Sequence, residues 1–186
     1  PNINAATARV LDAAGIQTLV ADGAGCCGAL RSHLADHDGG LADMRRNIDA
    51  WWPLVEGLTE QGRVEAIVMN ASGCGVTVRE YGHALAHDPD YAHKAQRISE
   101  LTRDLSELLP ELLPELQRRL KPTRGTGAGR GSLVFHPPCT LQHGQQLRGG
   151  VESALAELGF PVRLAHGESH LCCGSAGTYS VLQPKL

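Results

Sequence analysis

One stretch of this chain occurs twice. Residues 5–28 (AATARVLDAAGIQTLVADGAGCCG) line up with residues 151–174 (VESALAELGFPVRLAHGESHLCCG), the second copy being two residues longer between its glycine and its Cys-Cys-Gly triplet. Each copy reads as a helix with apolar positions at helical spacing, stopped by a glycine (Gly15, Gly159) and leading into a short strand and a cysteine loop. Alternating helices and strands imply an α/β fold of two repeated βαβ-type units with mainly parallel strands. Ligands of such sheets gather at strand carboxyl ends, and every cysteine of this chain comes after a predicted strand.

The remaining elements are placed around that repeat. Helices are expected over 4–14, 43–60 and onward from Val76, with strands over 16–20 and 64–69. Asp88-Pro89 opens a helix whose apolar stripe runs through Ile98, Leu101, Leu105, Leu108, Leu109 and Leu112; Pro110 and Pro114 should end or kink it. The Gly-rich stretch 122–131 reads as a linker. Its glycines come after a helix and precede a strand, the reverse of a dinucleotide loop, so a nucleotide site is rejected. A strand over 132–135, a helix over 141–158 and a strand over 162–165 complete the second copy. The division expected is 1–121 for the first unit, 122–131 for the linker and 132–186 for the second.

Six cysteines in such a chain point to metal or redox chemistry rather than a disulfide framework. Neighbouring Cα atoms lie about 3.8 Å apart, below the usual disulfide range, so Cys26-Cys27 and Cys172-Cys173 do not bridge internally. Only Cys74 and Cys139 remain as partners for those four sulfurs, and the count does not close. Cys26, Cys27, Cys74, Cys139, Cys172 and Cys173 are therefore the candidate metal ligands. A CCG loop supplies two thiolates from one turn, and Gly28, Gly73 and Gly174 are expected to let the backbone pass close to a bound group. If each half builds its own site, Cys74 should sit near Cys26 and Cys27, and Cys139 near Cys172 and Cys173.

Other classes find little support. The net charge of −3 and the lack of a Lys/Arg cluster give no footprint for nucleic acid, and no apolar run is long enough to span a bilayer. The start lacks both a signal-peptide pattern and a Met, and the chain reads as a piece of a longer polypeptide. No Ser-His-Asp, paired-carboxylate or phosphate-loop signature stands out, so no catalytic residue is assigned. The pairs His33/His37 and His83/His87 read as solvated. His136 and His170, beside cysteines, are better placed as outer donors to a metal site, and Trp51-Trp52 as core or subunit interface.

The cysteine pattern resembles the CCG-domain family related to heterodisulfide reductase subunits, in particular the iron–sulfur subunits of glycolate oxidase. The likeness rests on CCGAL, NASGCGVTVREYGHALAHDP, FHPPCTLQHGQ and ESHLCCGSAGTYSVLQP and covers essentially the whole chain. The family pattern is a cysteine, a gap, CCG, a similar gap and CxxC; Cys139, Cys172, Cys173 and Gly174 match its first part, with 32 residues between Cys139 and Cys172. Departures are plain. The upstream cysteine of the first CCG would fall before Pro1, the CxxC of the second beyond Leu186, and Ala71-Ser72-Gly73-Cys74 stands where the first CxxC belongs. The 45 residues between Gly28 and Cys74 are also more than the pattern has.

Four cysteines per site are then implied, which fits an ordinary [4Fe–4S] cluster and argues against a non-cubane one; structural zinc is the alternative cofactor. The resemblance further implies an N-terminal ferredoxin-like region, an FAD-containing partner subunit that oxidises glycolate to glyoxylate, and electron delivery toward the quinone pool. It implies a cytoplasmic protein, peripheral on the inner face of the membrane. The competing readings are a zinc-stabilised interaction module, and a related CCG subunit serving lactate, glycerol-3-phosphate or heterodisulfide chemistry.

Overall fold

The computed structural model describes residues 2–120, 133–165, 167, 178 and 182–183. In chain order its elements are α1 (Asn2–Ala13), α2 (Ala29–His33), α3 (His37–Glu56), β1 (Ile67–Met69), α4 (Ser72–Arg79), α5 (Tyr81–Ala84), α6 (Ala92–Leu101), β2 (Thr102–Asp104), α7 (Leu105–Arg119), β3 (Leu133–Phe135), a π-helical turn (Thr140–Gly144), α8 (Gly150–Glu157) and β4 (Val162–Leu164). Compact units do not keep to sequence order. One holds residues 20–103; the other joins the described residues up to 19 to those from 104 to 167. The expected division at 1–121 and 132–186 tracks the sequence repeat instead, and the linker at 122–131 lies outside the described residues.

The repeat is visible as one shared device. After α1, Gly15 has φ +85°, its N–H donates to Asp12 O (2.9 Å), and the Ile16 N–H donates to Leu11 O (2.9 Å). After α8, Gly159 has φ +81°, with Gly159 N–H to Ala156 O (2.9 Å) and Phe160 N–H to Leu155 O (3.0 Å). Both are Schellman stops, in which the glycine adopts the left-handed conformation that closes the last carbonyls. Beyond these stops the two copies diverge. β4 pairs in parallel with β3, in the register Leu133–Val162, Val134–Arg163 and Phe135–Leu164. Residues 16–20 form no strand, and Val20 is 91% exposed; no described strand pairs with them.

In the unit that includes residues 104–167, Leu11 of α1 packs with Leu112 and Leu116 of α7, joined by Leu105, Leu108 and Leu158. The single long helix expected after Asp88 is two. Asp88 does not cap its start: it organises the preceding turn, accepting from the N–H groups of Asp90 (3.1 Å) and Tyr91 (3.2 Å), and α6 begins at Ala92 with Tyr91 at its N-cap. The chain then leaves helical geometry at β2, which pairs with β1. It re-enters at a capping box, where Asp104 Oδ1 accepts from Ser106 N (2.9 Å) and Glu107 Oε2 accepts from Asp104 N (2.7 Å). α7 runs through Pro110 and Pro114 rather than ending there. The helix expected over 141–158 is likewise broken: Gln146 (φ +58°) and Gly149 (φ +79°) separate the π-helical turn from α8.

The 20–103 unit is built on α3. Its buried stripe, Gly40, Asp43, Met44, Asn47, Ile48 and Val55, follows the i, i+3, i+4, i+7, i+8 spacing of one helix face. The core beside it adds Cys27, Val78, Tyr81, Leu85, Ala95, Ile98 and Leu101. α3 starts six residues before the expected position 43, because Asp36 caps it by accepting from Gly39 N (3.0 Å). The early glycines of this helix conceal its first turn in the sequence.

Candidate metal centre

The first CCG turn leaves an irregular loop and enters α2 directly. Gly28 sits at φ +90°, and a Cβ there would lie 2.7 Å from the Gly40 carbonyl oxygen. Glycine is required here by backbone conformation and by the close approach of α3, whatever the loop binds. α3 also holds the turn from behind. Gly25 N–H donates to Asn47 Oδ1 (2.7 Å), and Asn47 Nδ2 donates to Cys26 O (2.8 Å) and to the Tyr81 hydroxyl oxygen (3.1 Å). The Tyr81 hydroxyl in turn donates to Cys27 O (2.9 Å). Asn47 and Tyr81 are both fully buried, and Trp51 stacks on the Tyr81 ring at 6.4 Å. Burial holds the Tyr81 phenol above its ordinary range, so it remains a donor. Beside them, Arg46 and Arg31 both pair with the buried Asp43 carboxylate, at 2.6 and 3.1 Å. Arg46 also reaches Cys26 O at 3.3 Å.

Cys74 comes to this turn from the other side. It lies beyond β1 and is the third residue of α4, whose first turn starts at Ser72 rather than Val76. Cys74 packs against the core that includes Cys27, and the two thiols interact. Cys27 is the thiolate side of that pair: the Cys74 thiol, the Ala29 N–H, the Thr77 hydroxyl and its own N–H outweigh burial and lower its pKa to about 6. Cys74 is pushed up, first by donating to Cys27, then by burial and by the charges of Cys27 and Cys26. Cys26 is exposed and Cys27 buried, so the two adjacent side chains occupy different sides of one turn. All four described cysteines are free thiols.

The structure thus brings Cys74 to the first CCG turn, beside Cys27, from a loop far away in sequence. Among the described residues, no group of three or more His, Cys, Asp or Glu side chains is arranged to hold a metal ion. The donor chemistry fits a thiophilic metal or cluster even so, because a soft thiolate is held among N–H and O–H donors. Gly73 has open space around its α-carbon. Cys139 is half-buried, four residues beyond β3 and at the entry of the π-helical turn. Cys172, Cys173, Gly174 and His170 lie outside the described residues, so the expected grouping with Cys139 does too. His33, His37, His83 and His87 are exposed; His33 ends α2 while His37 begins α3, and His87 lies beyond the end of α5, so neither pair shares a helix face. Trp51 and Trp52 pack against the core of this unit.

The cysteine spacing does not single out Asn47, Tyr81 or Thr77, although the string around Cys74 contains the last two. The available signal is Asn47 itself, a polar residue on the apolar stripe between Met44 and Ile48, since a buried polar group must find partners.

Comparison with known proteins gives the same direction. The cysteine-rich domain family known as CCG matches residues 1–79 and 133–186. Over its whole length the chain is 51% identical to the "Glycolate oxidase iron-sulfur subunit" of Escherichia coli K12, of which it covers 42%. It is 26% identical, over 98% of its length, to the "Probable glycolate oxidase iron-sulfur subunit" of Bacillus subtilis 168, of which it covers 38%. It is 27% identical over its whole length to "Lactate utilization protein A" of Bacillus velezensis, of which it covers 71%. The chain thus spans less than half the length of the two glycolate oxidase relatives. No solved structure matches it. The chain belongs to the cysteine-rich CCG domain family.

Proposed function

From membership of that family, we propose that this chain is the cluster-holding part of an iron–sulfur electron-transfer subunit, serving a flavoprotein complex that oxidises glycolate to glyoxylate. The observation that carries the reading is the packing of Cys74 against the core that holds Cys27 of the first CCG turn, in a chain half identical to a glycolate oxidase iron–sulfur subunit. Cys26, Cys27 and Cys74 are the ligands of one site; Cys139, Cys172 and Cys173 belong to a second. Gly73 and Gly174 keep the loops free of side chains where the bound group approaches, whereas the space beside Gly28 is taken by α3. A [4Fe–4S] cluster at these thiolates supplies one-electron transfer at a potential set by its surroundings.

The chain's own residues do the rest. Its neighbours lower the Cys27 thiol toward the thiolate, and Asn47 of α3 holds the turn that carries it. In this reading the substrate is oxidised elsewhere, on an FAD-containing partner, and electrons leave toward quinone. No helix among the described residues is long and apolar enough to cross a membrane. The proposed place is the cytoplasm, with peripheral contact at the inner face of the membrane.

Anaerobic purification of the full-length protein, with iron, acid-labile sulfide and zinc analysis, tests the reading. Iron and sulfide in matching amounts, with a brown colour, are expected. Stoichiometric zinc without sulfide assigns the thiolates to a structural zinc site and removes electron transfer.

A further inference from the structure

The side-chain hydrogen bonds of Asn47 and Tyr81 are directed with unusual economy. One joins the two residues to each other; the other three go to Gly25, Cys26 and Cys27, consecutive residues of the CCG turn. A buried Asn and Tyr that served the core alone could be satisfied by any nearby carbonyl. Here both carbonyls of the cysteine pair are taken up.

Peptide planarity carries this arrangement through to the other face of the turn. In a planar trans peptide the C=O of one residue and the N–H of the next point in opposite directions. Drawing Cys26 O toward Asn47 therefore turns the Cys27 N–H away from the core, and drawing Cys27 O toward Tyr81 turns the Gly28 N–H likewise. Backbone N–H groups turned toward that face are the ones that a cluster sulfur can draw on. Donors to cluster sulfurs favour the reduced, more negative state and so raise the potential.

We infer that Asn47 and Tyr81 are positioning residues, which set the reduction potential of the cluster at Cys26 and Cys27 by locking the peptide groups of the CCG turn. The inference rests on the reading of those cysteines as cluster ligands. Neither residue touches the cluster; both act through the backbone.

Tyr81→Phe in the full-length, anaerobically purified protein is the test, because it removes one hydroxyl and keeps the ring that stacks on Trp51. Redox titration monitored by electron paramagnetic resonance should show one cluster with altered g-values and a more negative midpoint, the others unchanged. Ile48→Val, in the same core but without a bond to the turn, should lower thermal stability and leave that midpoint where it was. The inference is overturned if Tyr81→Phe matches the wild type in g-values and midpoint, or if Ile48→Val moves the midpoint equally. A wild-type protein with no sulfide defeats the cluster reading itself and takes the inference with it. A loaded wild type with an indistinguishable Tyr81→Phe defeats the inference alone.

Discussion

Replacing Gly28 with Ala separates a structural demand from a ligand-binding one, and Gly62 supplies the comparison. Both lie in the 20–103 unit at positive φ, +90° and +79°. A side chain forced into the left-handed region costs about 1–2 kcal/mol. The smaller entropy of an unfolded chain with Ala returns about 0.4–1 kcal/mol. At Gly62 nothing lies within 4 Å of a built Cβ, so Gly62→Ala should cost on the order of 1 kcal/mol. At Gly28 the new methyl meets the Gly40 carbonyl oxygen at 2.7 Å, on helix backbone that cannot swing aside. Forced contacts of this kind cost about 1–3 kcal/mol more. With a urea slope of about 2 kcal/mol per molar, the Gly28→Ala midpoint should fall roughly 1 M below that of Gly62→Ala. The assay is tryptophan fluorescence of the metal-free protein, since Trp51 and Trp52 both report on this unit. Coincident midpoints would refute the claim that the contact with α3 is what demands glycine in the CCG triplet.

Two further outcomes are expected in the same region. Cys74→Ser keeps the size of the side chain but offers a hard oxygen in place of a soft thiolate; iron and sulfide per chain should drop by one cluster's share, and full content with unaltered spectra would remove Cys74 from the ligand set. Asp36 is held below the usual carboxylate range by the Arg31 guanidinium and by the Gly39 N–H. A carboxylate with a depressed folded pKa contributes stability above its unfolded pKa and loses it as pH falls through the folded value. Asp36→Asn, which can still cap α3, should therefore flatten the acid limb of the stability profile; an unchanged slope in urea unfolding across that pH range would count against it.

The parts of the fold that local chemistry decides are legible in the sequence. Gly15 and Gly159 end their helices as expected because a left-handed stop needs nothing beyond its own turn. The β3–β4 pairing is foreshadowed by two apolar runs on either side of a helix. The errors arise where tertiary packing overrides a local pattern. Residues 16–20 have the composition of a strand, but a strand exists only with a ladder partner, and none of the described strands provides one. The apolar stripe from Ile98 to Leu112 has helical spacing throughout, yet the backbone turns extended at Thr102, whose hydroxyl bonds back to Ile98 O at 2.7 Å. The Asp104…Glu107 capping signal is present in the sequence and outweighs the continuity of the stripe. Pro110 and Pro114 do not act as breakers, because Leu112 and Leu116 bury the face that carries α7 past them.

At the candidate site the division runs between ligand identity and ligand support. Cysteine spacing suffices to nominate Cys26, Cys27 and Cys74, because so few residue types can offer soft thiolates. That Cys74 meets the CCG turn is a matter of topology, as β1 delivers its loop to the side of the unit where α2 begins. The support is different in kind. Asn47 and Tyr81 lie 34 residues apart in sequence, and Tyr81 lies 54 from the Cys27 carbonyl it binds. Neither is a metal-binding residue type, so no spacing of ligands nominates them. Their significance comes from burial: a polar side chain excluded from water must take its partners from the backbone within reach, and here that backbone is the cysteine pair. The sequence pattern that marks a thiolate site therefore says which atoms bind, while the orientation of the peptides behind those atoms is set by an ordinary core.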